Sequence, residues 1–169
     1  VMVLHLRLEV QRHPLTLAII AFVITQPVQA AAPSTGAART LPAGGLFAAP
    51  PLSALFPGEK GPRPLDLAAT VGMKPIVVCY FLLGDSNGEE AMLGLQKVAA
   101  ETKERVVVLG ATRLTQTLGL SQAVEHLARL NLTLPIVIEN DPLPLARALG
   151  VTTAPSFSLI DAGGILRVA

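Results

Sequence analysis

Few residues in this 169-residue chain could do chemistry: one cysteine (Cys79), three histidines, and a knot of acids at Asp85, Glu89 and Glu90 beside Ser86. A single cysteine excludes an intramolecular disulfide and a cysteine-only metal site. Cys79 lies in the apolar run Pro75–Leu83, so it is expected to be buried, its thiol pKa raised and its role that of a small hydrophobe. Ser86, His126 and an acid could formally make a hydrolytic triad. However, Ser86 lacks the Gly-x-Ser-x-Gly turn that exposes such a nucleophile, and His126 falls on an expected surface helix. A phosphate loop fails because Glu89, not lysine, follows Gly88. The acids read as first-turn charges that complement a helix dipole, with Asp85 or Ser86 as the cap. The free N–H groups of that helix start could also take a small anion. Nothing in the chain calls for a metal or another cofactor. Asn131-Leu132-Thr133 matches a glycosylation sequon, a pattern frequent by chance.

These residues must be held by the elements around them. The β-branched and aromatic run Ile76–Phe81 reads as a central strand buried on both faces. Gly84–Gly88 breaks it, and Glu89–Lys103 follows as a helix with Met92, Leu95, Val98 and Ala99 on one face. Arg105–Ala111 reads as a second buried strand. Ser121 could cap a helix to about Leu130 that turns Val124, Leu127 and Ala128 inward. Leu134–Ile138 is a short extended piece. Asp141–Leu149 is a short helix with Pro142 and Pro144 in its first turn, and Gly150 stops it. Pro155–Ile160, the turn Asp161–Gly164 and Ile165–Val168 form a hairpin. The order implies an α/β fold: a mixed central sheet, helices on both faces and a C-terminal β-hairpin.

The region ahead of these elements has a different texture. Residues 1–30 read as a signal peptide: Arg7, Arg12 and His13, then the apolar run Leu15–Ile24, then Val28-Gln29-Ala30. The run is shorter than the roughly 20 residues a membrane-spanning helix needs, so no membrane span is expected once it is cleaved. Residues 31–64 read as an Ala/Pro/Gly-rich linker, and 65–169 as the folded domain. The net charge of +1 offers no basic footprint for nucleic acid. Export to a periplasm or the exterior follows from the signal reading.

The patterned region resembles the thioredoxin-like superfamily, in its exported redoxin branch of TlpA-like thiol–disulfide oxidoreductases and their peroxiredoxin (AhpC/TSA-related) relatives. The matching pieces are Lys74-Pro75-Ile76-Val77-Val78-Cys79-Tyr80-Phe81, Arg105–Gly110, Leu132–Val137 and, most closely, Leu145–Asp161 with its Gly-Val, proline and Phe-Ser-Leu-Ile-Asp. The resemblance implies a thioredoxin-like fold and a cis peptide bond before Pro155. In the family that loop pairs with extended substrate, a part that would fall here to Ala154 and Pro155. The family also has a helix after the hairpin. Its absence here fits a truncated chain, a fragment, or a partner covering that face.

The departure from the family is specific. Where its Cys-x-x-Cys motif stands, this chain has Asp85-Ser86-Asn87-Gly88-Glu89-Glu90, with Ser86 and Glu89 at about the two cysteine positions. A serine hydroxyl has no thiolate chemistry, and a carboxylate cannot resolve a mixed disulfide. The expectation is therefore a redox-inactive binding or scaffold module. Ser86, Glu89, Ala154 and Pro155 would form an edge for an extended peptide or protein. The alternative is a thiol–disulfide or peroxiredoxin-type enzyme acting through Cys79.

Overall fold

The computed structural model describes residues 44–102, 105–115 and 118–168. The signal-peptide reading of 1–30 and the first part of the linker lie outside them. Among the described residues, seven strands and three helices follow in chain order: β1 (Leu52–Leu55), β2 (Arg63–Leu65), β3 (Ile76–Tyr80), α1 (Ser86–Thr102), β4 (Val107–Arg113), α2 (Leu120–Arg129), β5 (Ile136–Glu139), α3 (Pro144–Leu149), β6 (Ser156–Ile160) and β7 (Leu166–Val168). They make one mixed sheet in the order β2-β1-β5-β4-β3-β6-β7. The centre is parallel, β3 against β4 and β4 against β5, while β1 and β6 flank it antiparallel.

Strand alternation sorts the core into two layers. Ile76, Val78 and Tyr80 join Leu109, Ala111 and Val137 under α3, whose Leu145, Ala146 and Leu149 are buried. Val77, Cys79 and Phe81 face the other way, against Met92 and Leu95 of α1 and Leu127 of α2. Helices therefore cover both faces, and β3 is buried along its whole length. At Gly110 the α1 layer packs closely on the sheet. A Cβ there would meet Ile136 Cδ1 at 2.7 Å and Met92 Cε at 2.8 Å.

Several sequence expectations need correction. The assignment of 31–64 to a linker fails from Gly44 onward. Phe47, Leu52, Ala54 and Leu55 are core residues, and β1 sits inside the sheet between β2 and β5. Its prolines and glycines punctuate strands of four and three residues, too short for a period to register. Gly44, Gly45 and Phe47 exchange backbone hydrogen bonds with Leu166 and Gly164, alongside β7. α1 begins three residues early, at Ser86, because Asp85 caps it. β4 starts two residues late, at Val107. α2 is entered from Gly119, whose N–H donates to Gln122 Oε1 at 3.0 Å, so Ser121 is not its cap. Ala123 takes the inward place expected of Ala128, which is exposed. Pro142 lies outside α3: Asp141–Pro142 is cis, and the helix is entered through Leu143 at φ 54°.

Candidate functional site

The site expected from sequence gathers at one end of the sheet. Tyr80, the last residue of β3, stands opposite Ser156, the first of β6. The chain leaving β3 therefore reaches α1 at the end where Ala154 and Pro155 enter β6. The Ala154–Pro155 peptide bond is cis. Ala154 packs against the α3-side core, while Pro155 and Ser86 are exposed.

Asp85 caps the helix start. Asp85 Oδ2 accepts the Gly88 N–H at 3.0 Å, and the Asp85 carbonyl accepts the Glu89 N–H. Glu89 folds back, so that its Oε1 accepts the Gly84 N–H at 2.7 Å. The same oxygen lies 2.6 Å from His126 Nε2, and both side chains are mostly buried. His126 thus meets Glu89 of α1 rather than completing a triad. Among the described residues no group of three or more His, Cys, Asp or Glu could hold a metal ion.

Cys79 stands mid-strand with no solvent exposure, and burial pushes its thiol up to about 12. A thiol so placed is neutral and shielded at any physiological pH. Beneath the same end of the sheet lies a second polar group that the sequence did not single out. Glu139, the last residue of β5, is 3% exposed. Its Oε1 accepts the Leu145 N–H at 2.5 Å and its Oε2 the Ala146 N–H at 3.2 Å. Burial raises its pKa, and these two bonds, together with the nearby Tyr80 hydroxyl, oppose the rise. Tyr80 is raised as well, by burial first and then by the Glu139 charge. Its buried oxygen has no hydrogen-bond partner of ordinary geometry, and the same holds for Ser156 Oγ. A charged residue closing the apolar run Ile136-Val137-Ile138 reads from sequence as the start of a loop. A cleft of about 620 Å³ opens nearby among Pro51, Pro64, Leu120 and Asp141. Ser86, Glu89, Ala154 and Pro155 are not among its walls.

The fold matches solved structures over 69–76% of the chain. The thioredoxin domain of a thiol-disulfide oxidoreductase from Bacteroides vulgatus superposes with a TM-score of 0.61 at 17% identity, over 76% of this chain and 87% of that one. This chain has the thioredoxin-like fold. A secreted Mycobacterium tuberculosis disulfide oxidoreductase matches at a TM-score of 0.55 and 20% identity, over 69% of this chain and 81% of that one. A thiol:disulfide interchange protein of the thioredoxin family from Chlorobium tepidum matches at 0.55 and 18%, over 72% and 82%. No family model matches the sequence, and no curated protein does. Among the described residues, no helix is long and apolar enough to cross a membrane.

Proposed function

We propose that this chain is an exported, thioredoxin-like binding or scaffold module that does not catalyse thiol–disulfide exchange. It would present the helix start at Ser86–Glu89 and the Ala154–Pro155 loop to an extended peptide or protein segment. One observation carries the reading: the chain's single cysteine is sealed in β3, while the helix start holds Asp85, Ser86 and Glu89. Thiol exchange needs an accessible thiolate, and a helix N-terminus is what would stabilise one. Here Asp85 caps that helix end through the Gly88 N–H, and Glu89 puts a carboxylate in its first turn. Export rests on the signal-like residues 1–30 and agrees with the secreted mycobacterial neighbour.

The oxidoreductases among the structural neighbours motivate a second reading, a thiol–disulfide oxidoreductase, which in this chain would have to work through its one cysteine, Cys79. Insulin reduction by dithiothreitol separates the two, run with the native protein, a Cys79→Ser variant and a buffer blank. The binding module predicts that both proteins match the blank. Faster precipitation with the native protein alone would replace it with the enzyme.

A further inference from the structure

The cleft beside β5 has apolar walls and two acids. Its volume is about 620 Å³, within the range of roughly 300–1,000 Å³ that ligand sites occupy. Pro51, Pro64, Leu114 and Leu120 supply apolar surface, and Glu139 and Asp141 supply carboxylates. Among the described residues no Lys, Arg or His lines it. In β2 the sorting is visible residue by residue. Pro62 and Pro64 line the cleft, while Arg63 between them lies over the Phe56 ring at 3.5 Å and pairs with Glu59 at 3.0 Å.

Neither carboxylate has a counter-charge. Among the described residues no cation forms a salt bridge to Glu139 or Asp141. Arg113 stands in register with Glu139 on β4, but it is exposed and makes no such bridge. Glu139 is buried and held by the Leu145 and Ala146 N–H groups, so it is a fixed charge in the wall. Asp141 is exposed and open to contact. The Tyr80 hydroxyl, unpartnered and on a residue 5% exposed, approaches the same acids from β3, but a neutral group balances no charge. Salt screens a partly buried charge less than a surface one, so both acids attract a cation into the cleft. The apolar walls ask that the cation arrive on an apolar stem. Arginine has that build: methylenes to lie on proline and leucine, and a weakly hydrated guanidinium whose fork fits a carboxylate.

The strands favour an extended carrier. β1 and β5 pair only at Ala54–Val137 and Leu55–Ile136. Ser53 and Ile138, the next residues along each strand, line the cleft instead. An extended main chain can lie against two strands that part in this way.

We propose that this cleft docks an extended protein segment through one arginine side chain, its stem on the proline and leucine walls and its guanidinium on Asp141 beside Glu139. The site is separate from the Ser86–Pro155 edge and does not depend on it.

The test is an amide chemical-shift titration of the isotope-labelled chain at neutral pH and low salt. The probe is a capped pentapeptide with one arginine between leucines. Ser53, Ile138, Asn140 and Asp141 should shift saturably, while Ser86 and Thr153 should not. Norleucine in place of the arginine should weaken binding about tenfold or more. Asp141→Asn and Glu139→Gln should each weaken it about fivefold or more, and about 0.5 M sodium chloride should weaken it as well. Asp141 is exposed, so its variant covers the case in which Glu139→Gln does not fold. Absence of binding would overturn the cleft, as would equal affinity for the norleucine peptide, unchanged affinity in Asp141→Asn, or free arginine amide binding as tightly as the peptide. Shifts confined to Ser86 and Thr153 would overturn the cleft and support the Ser86–Pro155 edge. Insulin turnover through Cys79 would overturn the binding reading of that edge and leave the cleft untouched.

Discussion

Glu89 and His126, 37 positions apart in sequence, meet at 2.6 Å, and this contact joins the first turn of α1 to α2. The same Glu89 oxygen holds the Gly84 N–H. One side chain therefore fixes the turn after β3 and a neighbouring helix together. Glu89→Ala removes both partners' acceptor and should destabilise the fold by about 1–3 kcal/mol, the range for leaving buried hydrogen-bonding groups without a partner. His126→Ala removes one and should cost less. A double-mutant cycle in urea should give a coupling energy of at least about 0.5 kcal/mol. Strictly additive effects would mean that the contact holds nothing.

The Cys79 thiol should be inert in the folded protein. With its pKa pushed up to about 12 by burial, almost none is thiolate at neutral pH, and the core shields the sulfur. A chromogenic thiol reagent should report no reaction in buffer and one thiol per chain in concentrated denaturant. Rapid labelling of the native protein would place Cys79 outside the core. Cys79→Ser puts a hydroxyl among Phe81, Met92 and Leu159 and should cost about 1–3 kcal/mol in urea unfolding.

The elements legible from sequence were those whose signal is local and long. The apolar run at β3, the helical spacing of Met92 and Leu95, and the Asp161–Gly164 turn each lie within a few residues. β1 was not legible, because Leu52–Leu55 is four residues long amid prolines that suit a linker equally well. Its strand character comes from pairing with β5, more than 80 residues away. That Ser86, Glu89 and Pro155 lie at one end of the sheet was legible, and their contacts were not. Nothing near Glu89 announces His126. Glu139 could be recognised only once α3 was known to start where its N–H groups meet that carboxylate.

Gly110 tests how tightly α1 sits on the sheet. It stands opposite Cys79 in β4 and has no side chain between Met92 and Ile136. Gly110→Ala would put a methyl carbon inside van der Waals distance of both. The atoms it meets end flexible side chains, yet Met92 and Ile136 are 0% and 2% exposed and have little room to yield. The expected loss is about 1–3 kcal/mol, as for other overpacked cores. Combining it with Met92→Ala should recover part of that loss relative to Met92→Ala alone. Full additivity of the two would show that the clash is relieved elsewhere.

The pH dependence of global stability should carry the mark of Glu139. Burial raises its pKa in the folded chain above the unfolded value, so the folded state binds that proton more tightly. The stabilisation linked to this proton is complete below the unfolded pKa and is lost as pH rises through the folded one. The usual acid loss from paired carboxylates runs in the opposite direction, so comparison with Glu139→Gln is what isolates the group. The native protein should gain stability relative to the glutamine variant as pH falls from neutral into the carboxylate range, by about 1.4 kcal/mol for each unit by which the pKa is raised. Urea unfolding at paired pH values measures the difference. A difference independent of pH would mean that Glu139 titrates alike in the folded and unfolded chain, which its burial beneath α3 argues against. A gain for the variant in acid would mean that the bonds to Leu145 and Ala146 outweigh desolvation.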